Sequence, residues 1–478
     1  MSSRWEPVIG LEVHVQLATC TKLFCADRSE FGAEPNTNVC PVCLGLPGAL
    51  PVLNAMAVEL GVRAALALGC TVHETSVFAR KNYFYPDLPK GYQITQFDRP
   101  LATGGGISAA GGEEDVPVRI RRIHLEEDAG KSIHDRLEGR TAIDLNRAGV
   151  PLIEIVTEPD LVSPAHARSF LTALKQLLLY VEVSDCDMEK GSLRVDANIS
   201  VRRSGSSELR TKTELKNMNS FSNVERALVY EIARQLGVVE TGGSIVHETL
   251  LWDANRGEAR PMRSKEESHD YRYFPEPDLP PLAIDASVID SLLAALPELP
   301  RAKHDRFMRQ YSIPDYDAGV LTADRTLADY YEAVAGLVGD GKAASNWVMT
   351  DVLGWLNQSQ AALADLRVPP GHLAELIALV RDGTISSSVA RQLFGRMAQS
   401  GESALPIVKA EGLVQIRDED VLEAWAAEVV GAHPDEVERY RAGDRKLLAF
   451  FMGQVMKRSQ GKADPRRATA ILEAHLSD

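Results

Sequence analysis

The chain has 478 residues, which is too long for one hydrophobic core and predicts about two to four domains. Its hydrophobic share of 45% and charged share of 25% are those of an ordinary globular protein, and no apolar run is long enough to span a bilayer. The net charge of −15 argues against a surface covered by nucleic acid. We expect no signal peptide and a cytoplasmic location.

The first predicted element is a strand from Trp5 to Leu17. Its apolar residues alternate with Glu12, His14 and Gln16, which therefore share the opposite face. Such a face belongs either to a sheet with one side in water or to a functional site.

Four of the six cysteines follow this strand with the spacing C-x4-C-x14-C-x2-C. Without a secretion signal the pattern favours a zinc knuckle over two disulfides, and four thiolates would make that zinc structural. The alternative is four buried structural thiols. The predicted ligands, within a knuckle at residues 20–43, are Cys20, Cys25, Cys40 and Cys43.

A glycine-rich piece, Gly104–Gly112, precedes no clear helix and predicts a hairpin loop rather than a phosphate-binding loop. The following stretch, 119–128, alternates less regularly. Adjacent Arg121 and Arg122 predict a β-bulge, which leaves open whether Glu126 or Glu127 joins the polar face.

Two later segments, 193–202 and 211–216, repeat the alternation of the first strand. Before and after them, helices are predicted near Pro164–Val181 and Ser222–Leu236, and a proline-rich passage at 274–281 ends the first domain. The polar positions of the two segments include Arg194, Asp196, Asn198, Glu214 and Lys216.

From about residue 287 the pattern becomes helical. Leu373 and Leu376 belong to an apolar series with helical spacing that ends at Gly383, a residue suited to a helix C-terminus. Gly401 and Pro406 predict a break at about 401–410. The predicted domains are therefore an α+β domain at 1–290, an all-α domain at 291–405 and a small helical tail at 406–478.

The tail has an unusual charge. Residues 444–467 contain seven basic and two acidic residues, a net charge of +5, so the rest of the chain carries −20. A basic tail on an acidic body is typical of a modular RNA-binding enzyme, although many basic helices are only solvated. The predicted tRNA-binding residues are Arg445, Lys446, Lys457, Arg458, Lys462, Arg466 and Arg467.

Carboxylates beside a histidine and an amide are hard ligands suited to Mg²⁺, which itself binds nucleotide phosphates. Interleaved arginine and lysine residues can balance phosphate charge during phosphoryl transfer. The sequence contains neither a P-loop nor a kinase signature set. A phosphoryl-transfer site on these strands would therefore need the plan of glutamine synthetase.

Several strings, in order along the chain, resemble the B subunits of the aspartyl/glutamyl-tRNA(Asn/Gln) amidotransferases. They are GLEVHVQL (10–17), CPVCLGLPG (40–48), RKNYFYPDLPKGYQ (80–93), HLEEDAGK (124–131), DLNRAG (144–149), GSLRVDAN (191–198), KTELKNMN (212–219) and DYRYFP (270–275). The resemblance implies a glutamine-synthetase-like cradle of antiparallel sheets and helices, a helical domain and a tail that binds tRNA. It also implies two partners in a heterotrimer, an amidase-type A subunit that makes ammonia from glutamine and a small C subunit.

This family amidates Glu-tRNA(Gln) or Asp-tRNA(Asn) with ATP, through an acyl phosphate that ammonia displaces. The expected cofactors are ATP, Mg²⁺ and a structural Zn²⁺. Magnesium is assigned to Glu12, His14 and Glu127, with Glu126 open as a ligand in place of Glu127 or beside it. The predicted catalytic residues are Glu12, His14, Glu126, Glu127, Asp196 and Glu214, and the predicted ATP- or phosphate-binding residues are Lys81, Lys90, Arg194, Asn198 and Lys216, with both Lys81 and Lys90 in a loop.

Two other functions stay open at this point. One is a carboxylate–amine ligase that acts on a small molecule, against which the basic tail argues. The other is a non-catalytic adaptor that holds RNA through the knuckle and the tail. Phosphate release from ATP that depends on charged tRNA would separate the enzyme from the adaptor.

Overall fold

The computed structural model describes residues 4–109, 115–137, 139–262, 271–416, 418–459 and 461–477, which divide into two compact units between Leu299 and Pro300. Gly111, Gly112 and Asp270 lie outside the described residues. No helix in the described part of the chain is long and apolar enough to cross a membrane. The predicted α+β class, with a sheet-containing part followed by helices, is confirmed.

The first unit contains all the strands among the described residues. They are β1 (Trp5–Gln16), β2 (Thr71–Val72), β3 (Thr75–Ser76), β4 (Phe78–Asn82), β5 (Tyr92–Gln96), β6 (Ala102–Thr103), β7 (Gly106–Ala109), β8 (Val116–Glu127), β9 (Lys131–Leu137), β10 (Arg140–Asp144), β11 (Pro151–Thr157), β12 (Leu193–Arg203), β13 (Thr213–Lys216), β14 (Thr249–Asp253), β15 (Glu258–Pro261), β16 (Phe274–Pro275) and β17 (Leu282–Ala283).

The main sheet has the order β15-β14-β13-β12-β1-β11-β8-β6-β2, and β7 also pairs with β8. Its pairs are antiparallel except β13–β14, which is parallel and departs from the prediction of antiparallel sheets alone. Smaller sheets are β16-β4-β5, β10-β9 and β17-β3. The central position of β1 brings polar residues from β12 and β11 to its two sides.

The bulge predicted at Arg121 and Arg122 is confirmed. Val156 of β11 pairs with Arg122 of β8, whereas Thr157 pairs with Ile120, so Arg121 is the extra residue.

Helices α1 (Ala55–Ala67), α2 (Pro164–Tyr180), α3 (Phe221–Glu240) and α4 (Ala286–Ala294) belong to the same unit. Ser163 caps α2 and Ser220 caps α3, since each hydroxyl accepts a hydrogen bond from a backbone N–H of the first turn. The apolar residues of β1, β11 and β12 join those of the first three helices in one core. The opposite face of these strands is left for polar side chains.

The second unit is helical among its described residues. Its helices are α5 (Pro300–Tyr311), α6 (Asp315–Leu321), α7 (Arg325–Val338), α8 (Gly341–Trp347), α9 (Leu353–Ser359), α10 (Pro370–Arg381), α11 (Ser387–Ser400), α12 (Ala404–Glu411), α13 (Glu419–Ala432), α14 (Pro434–Arg441), α15 (Leu447–Arg458) and α16 (Pro465–Ser477). A π-helical turn, Val348–Val352, joins α8 to α9, and a 3₁₀ turn, Leu363–Asp365, follows α9. The predicted helix end at Gly383 is confirmed, because α10 stops at Arg381 and Gly383 has a φ of 66°.

The break expected at 401–410 is confirmed at Gly401, which has a φ of 81° and follows the end of α11, but it is wrong for the rest of the segment. Ala404–Glu411 forms α12, and Ile407 and Val408 belong to a hydrophobic cluster that runs from Phe307 to Val408. Pro406 lies in the first turn, where a proline removes no intrahelical hydrogen bond. A separate cluster spans Leu422–Leu476. The boundaries at residues 290 and 405 stay predictions.

Candidate metal and phosphate site

A group of three acidic side chains forms on the polar face of the main sheet. Glu12 faces Asp196 across the β1–β12 pair, and Asn198 faces Glu214 across the β12–β13 pair. One carboxylate oxygen from each of Glu12, Asp196 and Glu214 lies within 4.8 Å of the other two. We call these three residues the carboxylate cluster. Their proximity follows from the strand register, although they are far apart in sequence.

Lys216 and Asn198 contact this cluster. Lys216 Nζ donates to Asp196 Oδ2 at 2.6 Å and to Glu214 Oε1 at 2.9 Å. Asn198 Nδ2 donates to Glu12 Oε1 at 2.9 Å. Asp196, Asn198, Glu214 and Lys216, which were predicted as catalytic or phosphate-binding residues, therefore do lie together. Lys216, however, is paired with carboxylates and not left unpaired for a phosphate.

The cluster holds more negative charge than its lysine balances. Burial raises the pKa of Glu12, and the carboxylates of Glu154 and Glu214 raise it further. Burial also acts to raise the pKa of Glu214, but Lys216 outweighs it and the net pKa is lowered. Three carboxylates beside one ammonium leave a net charge that a divalent cation can balance. The donor set therefore fits a hard metal ion such as Mg²⁺.

A second group lies beside the first. His14 faces Glu154 of β11, and Glu154 faces His124 of β8. His14 Nε2 is 3.5 Å from Glu126 Oε1 and 3.7 Å from Glu154 Oε2. We call His14, Glu126 and Glu154 the His–Glu cluster, since one ligand atom from each lies within 4.8 Å of the others. Glu126 and Glu154 are buried.

His124 supports the His–Glu cluster from its buried side. His124 Nε2 lies 2.9 Å from Glu154 Oε2 and 3.8 Å from Glu126 Oε2. Burial lowers the pKa of His124, but the two carboxylates outweigh burial and raise the pKa to about 9. The two carboxylates therefore favour the protonated form of His124, whose positive charge would balance one of the two buried acids.

Lys81 faces the same acidic residues. It belongs to β4, which corrects its assignment to a loop. Its Nζ lies 4.9 Å from the centre of the Tyr271 ring and 5.9 Å from that of Tyr83. Burial lowers the pKa of Lys81, but the charges of Glu126 and Glu154 outweigh it and the net pKa is raised. Lys81 is thus a half-buried cation held near aromatic rings and carboxylates.

Glu127 has different partners from its neighbour Glu126. Its Oε1 pairs with Lys90 Nζ and accepts a hydrogen bond from the backbone N–H of Ile94 at 2.8 Å. The structure does not bring Glu127 into either cluster, whereas Glu126 approaches His14. The expected magnesium set of Glu12, His14 and Glu127 is therefore not assembled as one group.

Arg194 faces His14 in the strand register and points to Asp128. Its Nη2 donates to Asp128 Oδ2 at 2.8 Å, and Arg147 Nε lies 3.5 Å from the same oxygen. The side chain of Arg194 is 36% exposed, so its guanidinium combines one ion pair with access to solvent.

Three of the four predicted zinc ligands lie together, joined by an aspartate in place of the fourth. Ligand atoms of Cys25, Asp27, Cys40 and Cys43 lie within 4.8 Å of one another, whereas Cys20 is exposed and outside this group. Asp oxygen is an accepted zinc ligand beside thiolates. The geometry therefore favours three thiolates and one carboxylate over the predicted four thiolates.

The basic residues of the tail surround the two ends of α15 and the start of α16. Six are exposed, and Lys462 is half-buried. Arg458 is paired with Glu428 at 3.1 Å, and the Arg445 guanidinium lies 4.6 Å from the centre of the Tyr440 ring.

Four residues at these sites are missing from the sequence predictions: Glu154, His124, Asp27 and Asp128. Glu154 is the one charged residue of the apolar strand β11, and that isolation is a signal that could have identified it. Asp27 follows Cys25 with the short spacing C-x-D, which is a weaker signal.

Comparison with known proteins identifies the family. Residues 7–290 match a family model described as the GatB/GatE catalytic domain, and residues 329–476 match one described as the GatB domain. The chain belongs to the GatB family. The resemblance carried by the strings of the first unit therefore extends over the helical unit as well.

Full-length GatB relatives are similar over almost the whole chain. A protein of Prosthecochloris aestuarii is 51% identical over 99% of this chain and 98% of its own length. One of Myxococcus xanthus is 50% identical over 100% and 99%, and one of Moorella thermoacetica is 51% identical over 99% and 100%. Each of the three is named as the B subunit of an aspartyl/glutamyl-tRNA(Asn/Gln) amidotransferase.

Proposed function

We propose that this chain carries the site at which Glu-tRNA(Gln), Asp-tRNA(Asn) or both are amidated with ATP. The observation that carries the proposal is the pair of adjacent acidic clusters on one face of β1, with Lys81 and Lys216 beside them. The names of the GatB relatives support the same activity.

The two clusters are the proposed magnesium sites. Glu12, Asp196 and Glu214 would hold one ion, and His14, Glu126 and Glu154 a second. Magnesium supplies charge neutralisation for the phosphates of ATP when it is bound. Three cysteines and Asp27 would hold a structural zinc ion in the same way.

The proposed reaction has two steps. A side-chain carboxylate oxygen of the tRNA-bound amino acid forms a bond to the γ-phosphorus of ATP, and the bond from that phosphorus to the β–γ bridging oxygen breaks to release ADP. The nitrogen of ammonia then bonds to the carbonyl carbon of the acyl phosphate. Phosphate leaves with the electrons of the C–O bond, and loss of a proton from nitrogen yields the amide.

The residues of the site have separate tasks in these steps. Lys81 and Arg194 would offer positive charge near the phosphoryl group as its charge shifts, whereas Lys216 would hold Asp196 and Glu214 in place. The aromatic rings of Tyr83 and Tyr271 are neighbours, with centres 6.0 Å apart, and both lie near Lys81, where they can limit the access of water that would hydrolyse an acyl phosphate.

In the proposed assembly, another subunit makes the ammonia that this chain does not make. Ser204–Ser207 lies in a polar turn and lacks the glycine-rich context of an amidase serine motif. Ammonia would come from an amidase-type A subunit, with a small C subunit completing a heterotrimer. The three proposed domains, 1–290, 291–405 and 406–478, divide the work between catalysis and tRNA binding.

Replacement of Glu12 by glutamine tests the proposal. In the complex reconstituted with its glutaminase partner, Glu12→Gln should lower tRNA-dependent phosphate release and amidation by about 100-fold, because a cluster oxygen that faces the metal is lost. Glutaminase activity should persist. Glu240→Gln, an exposed substitution at the end of α3, is the matched control.

Wild-type amidation by the Glu12→Gln complex would refute the proposed site. Phosphate release that needs no charged tRNA would instead indicate a small-molecule ligase. If the wild-type complex binds tRNA but does not turn over ATP, the chain would instead be a non-catalytic adaptor that holds RNA.

A further inference from the structure

A cavity of about 500 Å³ lies in the first unit next to the proposed site, and neither step of the proposed reaction uses it. Its walls come from the loop 30–35, from the β9–β10 hairpin with the segment after it, and from residues 189–191. Cavities that bind small molecules typically measure about 300–1,000 Å³. The size therefore suits a ligand as large as a nucleoside.

The cavity begins at the end of the polar face. Gln16 lines it and lies two residues after His14 on β1, so the two side chains share a face and are about 7 Å apart along the strand. Arg147 also lines the cavity and lies 3.5 Å from Asp128, the acid that pairs with Arg194. A ligand in the cavity would consequently lie beside the His–Glu cluster.

Hydrogen bonds join two of the segments that form the walls, 34–38 and 143–146. Asn36 Nδ2 donates to the carbonyl of Ile143 at 2.9 Å, and the backbone N–H of Asn38 donates to Asn146 Oδ1 at 2.8 Å. Asn146 Nδ2 in turn donates to the carbonyl of Glu34 at 2.7 Å. Polar contacts of this kind across two segments indicate a preformed cavity, and the segment 34–38 leads directly to the cysteine group at residues 40–43.

The lining combines an aromatic ring with polar groups. Phe31 is 69% exposed although it is a large apolar residue, and it is one of the residues that line the cavity. The lining has three basic and four acidic side chains, a net charge of −1: Lys131, Arg147, Lys190, Glu30, Glu34, Asp144 and Glu189. This balance disfavours a triphosphate inside the cavity. It favours an uncharged ring that can stack on Phe31 and hydrogen-bond at its edge.

We propose that the cavity binds an adenosine moiety, with its base against Phe31. The proposal rests on the proposed function, whose two substrates both carry this group: ATP contains adenosine, and tRNA bears its amino acid on a 3′-terminal adenosine. Either source would place the reacting group toward the acidic clusters, because the cavity adjoins them at Gln16.

The test is Phe31→Ala in the reconstituted complex, with the KM for ATP and the KM for Glu-tRNA(Gln) measured separately. Loss of a stacked base should raise one of the two KM values by about tenfold, with a smaller change in kcat. Phe31→Tyr should restore the KM, since it keeps the ring. Val52→Ala is the matched control, because Val52 is 73% exposed and apolar but does not line the cavity.

The outcomes assign the source or reject the site. A rise confined to the KM for ATP would show that the cavity binds the adenosine of ATP. A rise confined to the KM for Glu-tRNA(Gln) would show that it binds the 3′-terminal adenosine of the tRNA. Two unchanged KM values, or an equal rise with Val52→Ala, would overturn the proposal.

A titration of the complex with adenosine needs no turnover and separates this proposal from the proposed function. Adenosine that binds the wild-type complex and not Phe31→Ala supports the cavity even where amidation fails. If the complex amidates tRNA but Phe31→Ala changes neither the KM values nor the binding of adenosine, the cavity proposal is wrong and the proposed function is unaffected.

Discussion

Glu126 and Glu127 are neighbours in sequence, yet their carboxylates meet different groups. Glu126 lies within 3.5 Å of His14, whereas Glu127 pairs with Lys90 and with the backbone of Ile94. Successive side chains of a strand point to opposite faces, so one of two adjacent acids is directed away from a shared site. Because their partners differ, substitution of each residue can show which of the two binds the metal.

Glu126→Gln should raise the Mg²⁺ concentration needed for half-maximal amidation by at least about tenfold, because even outer partners of a bound metal typically contribute that much. Glu127→Gln is the matched variant and should leave this Mg²⁺ concentration unchanged, whatever it does to the maximal rate. A magnesium titration of both variants measures the effect. The reverse pattern would mean that Glu127 holds the metal and that the His–Glu cluster is structural.

The residues of the site could be predicted only where they share a strand with an obvious pattern. The period of two assigned Glu12, His14 and Asp196 to polar faces, and the structure places them there. Which of these residues contact one another across the sheet could not be predicted from the same pattern. Glu154 joins His14 through the register of β1 and β11, and register depends on the packing of the whole sheet.

At the scale of elements, the cysteine loop connects a candidate metal site to the sheet. Lys22 is fully buried beneath it, and its Nζ donates to Cys43 Sγ at 3.3 Å and to the carbonyl of Asn38 at 2.6 Å. Three thiolates and Asp27 around Zn²⁺ would carry a net charge of about −2, and this buried ammonium would offset half of it. The presence of Lys22 is therefore consistent with an anionic zinc group.

Cys40→Ser should abolish zinc binding, because it removes one of the four grouped ligands, whereas Cys20→Ser should retain about one zinc ion per chain. Metal content of the purified variants measures this directly, and thermal unfolding should show a lower midpoint for Cys40→Ser alone. Zinc loss in Cys20→Ser with zinc retained in Asp27→Asn would restore the four-cysteine assignment.

Most elements follow from local patterns, and the exceptions have physical causes. Helices α2 and α3 begin at serine caps and have apolar faces, so both were predictable. Helix α12 was not, because Gly401 and Pro406 resemble a break. Pro406 is accommodated in the first helical turn, and burial of Ile407 and Val408 stabilises a segment whose local sequence favours a loop.

At the scale of the molecule, the basic stretch at 444–467 falls within one hydrophobic cluster. The residues of the last hydrophobic cluster, between Leu422 and Leu476, enclose the stretch that carries the +5 charge. Since this stretch has its own apolar core, its basic side chains are held on the surface of a folded element and are not a disordered tail. A fixed basic surface on an acidic chain can direct an RNA to one region.

Substitution of Lys446 and Lys457 by alanine should weaken the binding of tRNA to the complex several-fold. Each lysine that contacts a phosphate releases counterions, so the dependence of log affinity on log salt should fall by about two for the pair. Both lysines are exposed, which argues against misfolding as the source of the effect. Binding is measured at several salt concentrations.

The matched control replaces Arg309 and Arg391, which are also exposed and basic and lie in the same compact unit but outside the proposed tail. It removes the same net charge, so a general electrostatic effect of the chain would lower affinity equally in both double variants. A loss specific to Lys446 and Lys457 requires direct phosphate contacts by the tail. Equal losses, or none, would show that the tRNA binds elsewhere and that the basic surface is only solvated.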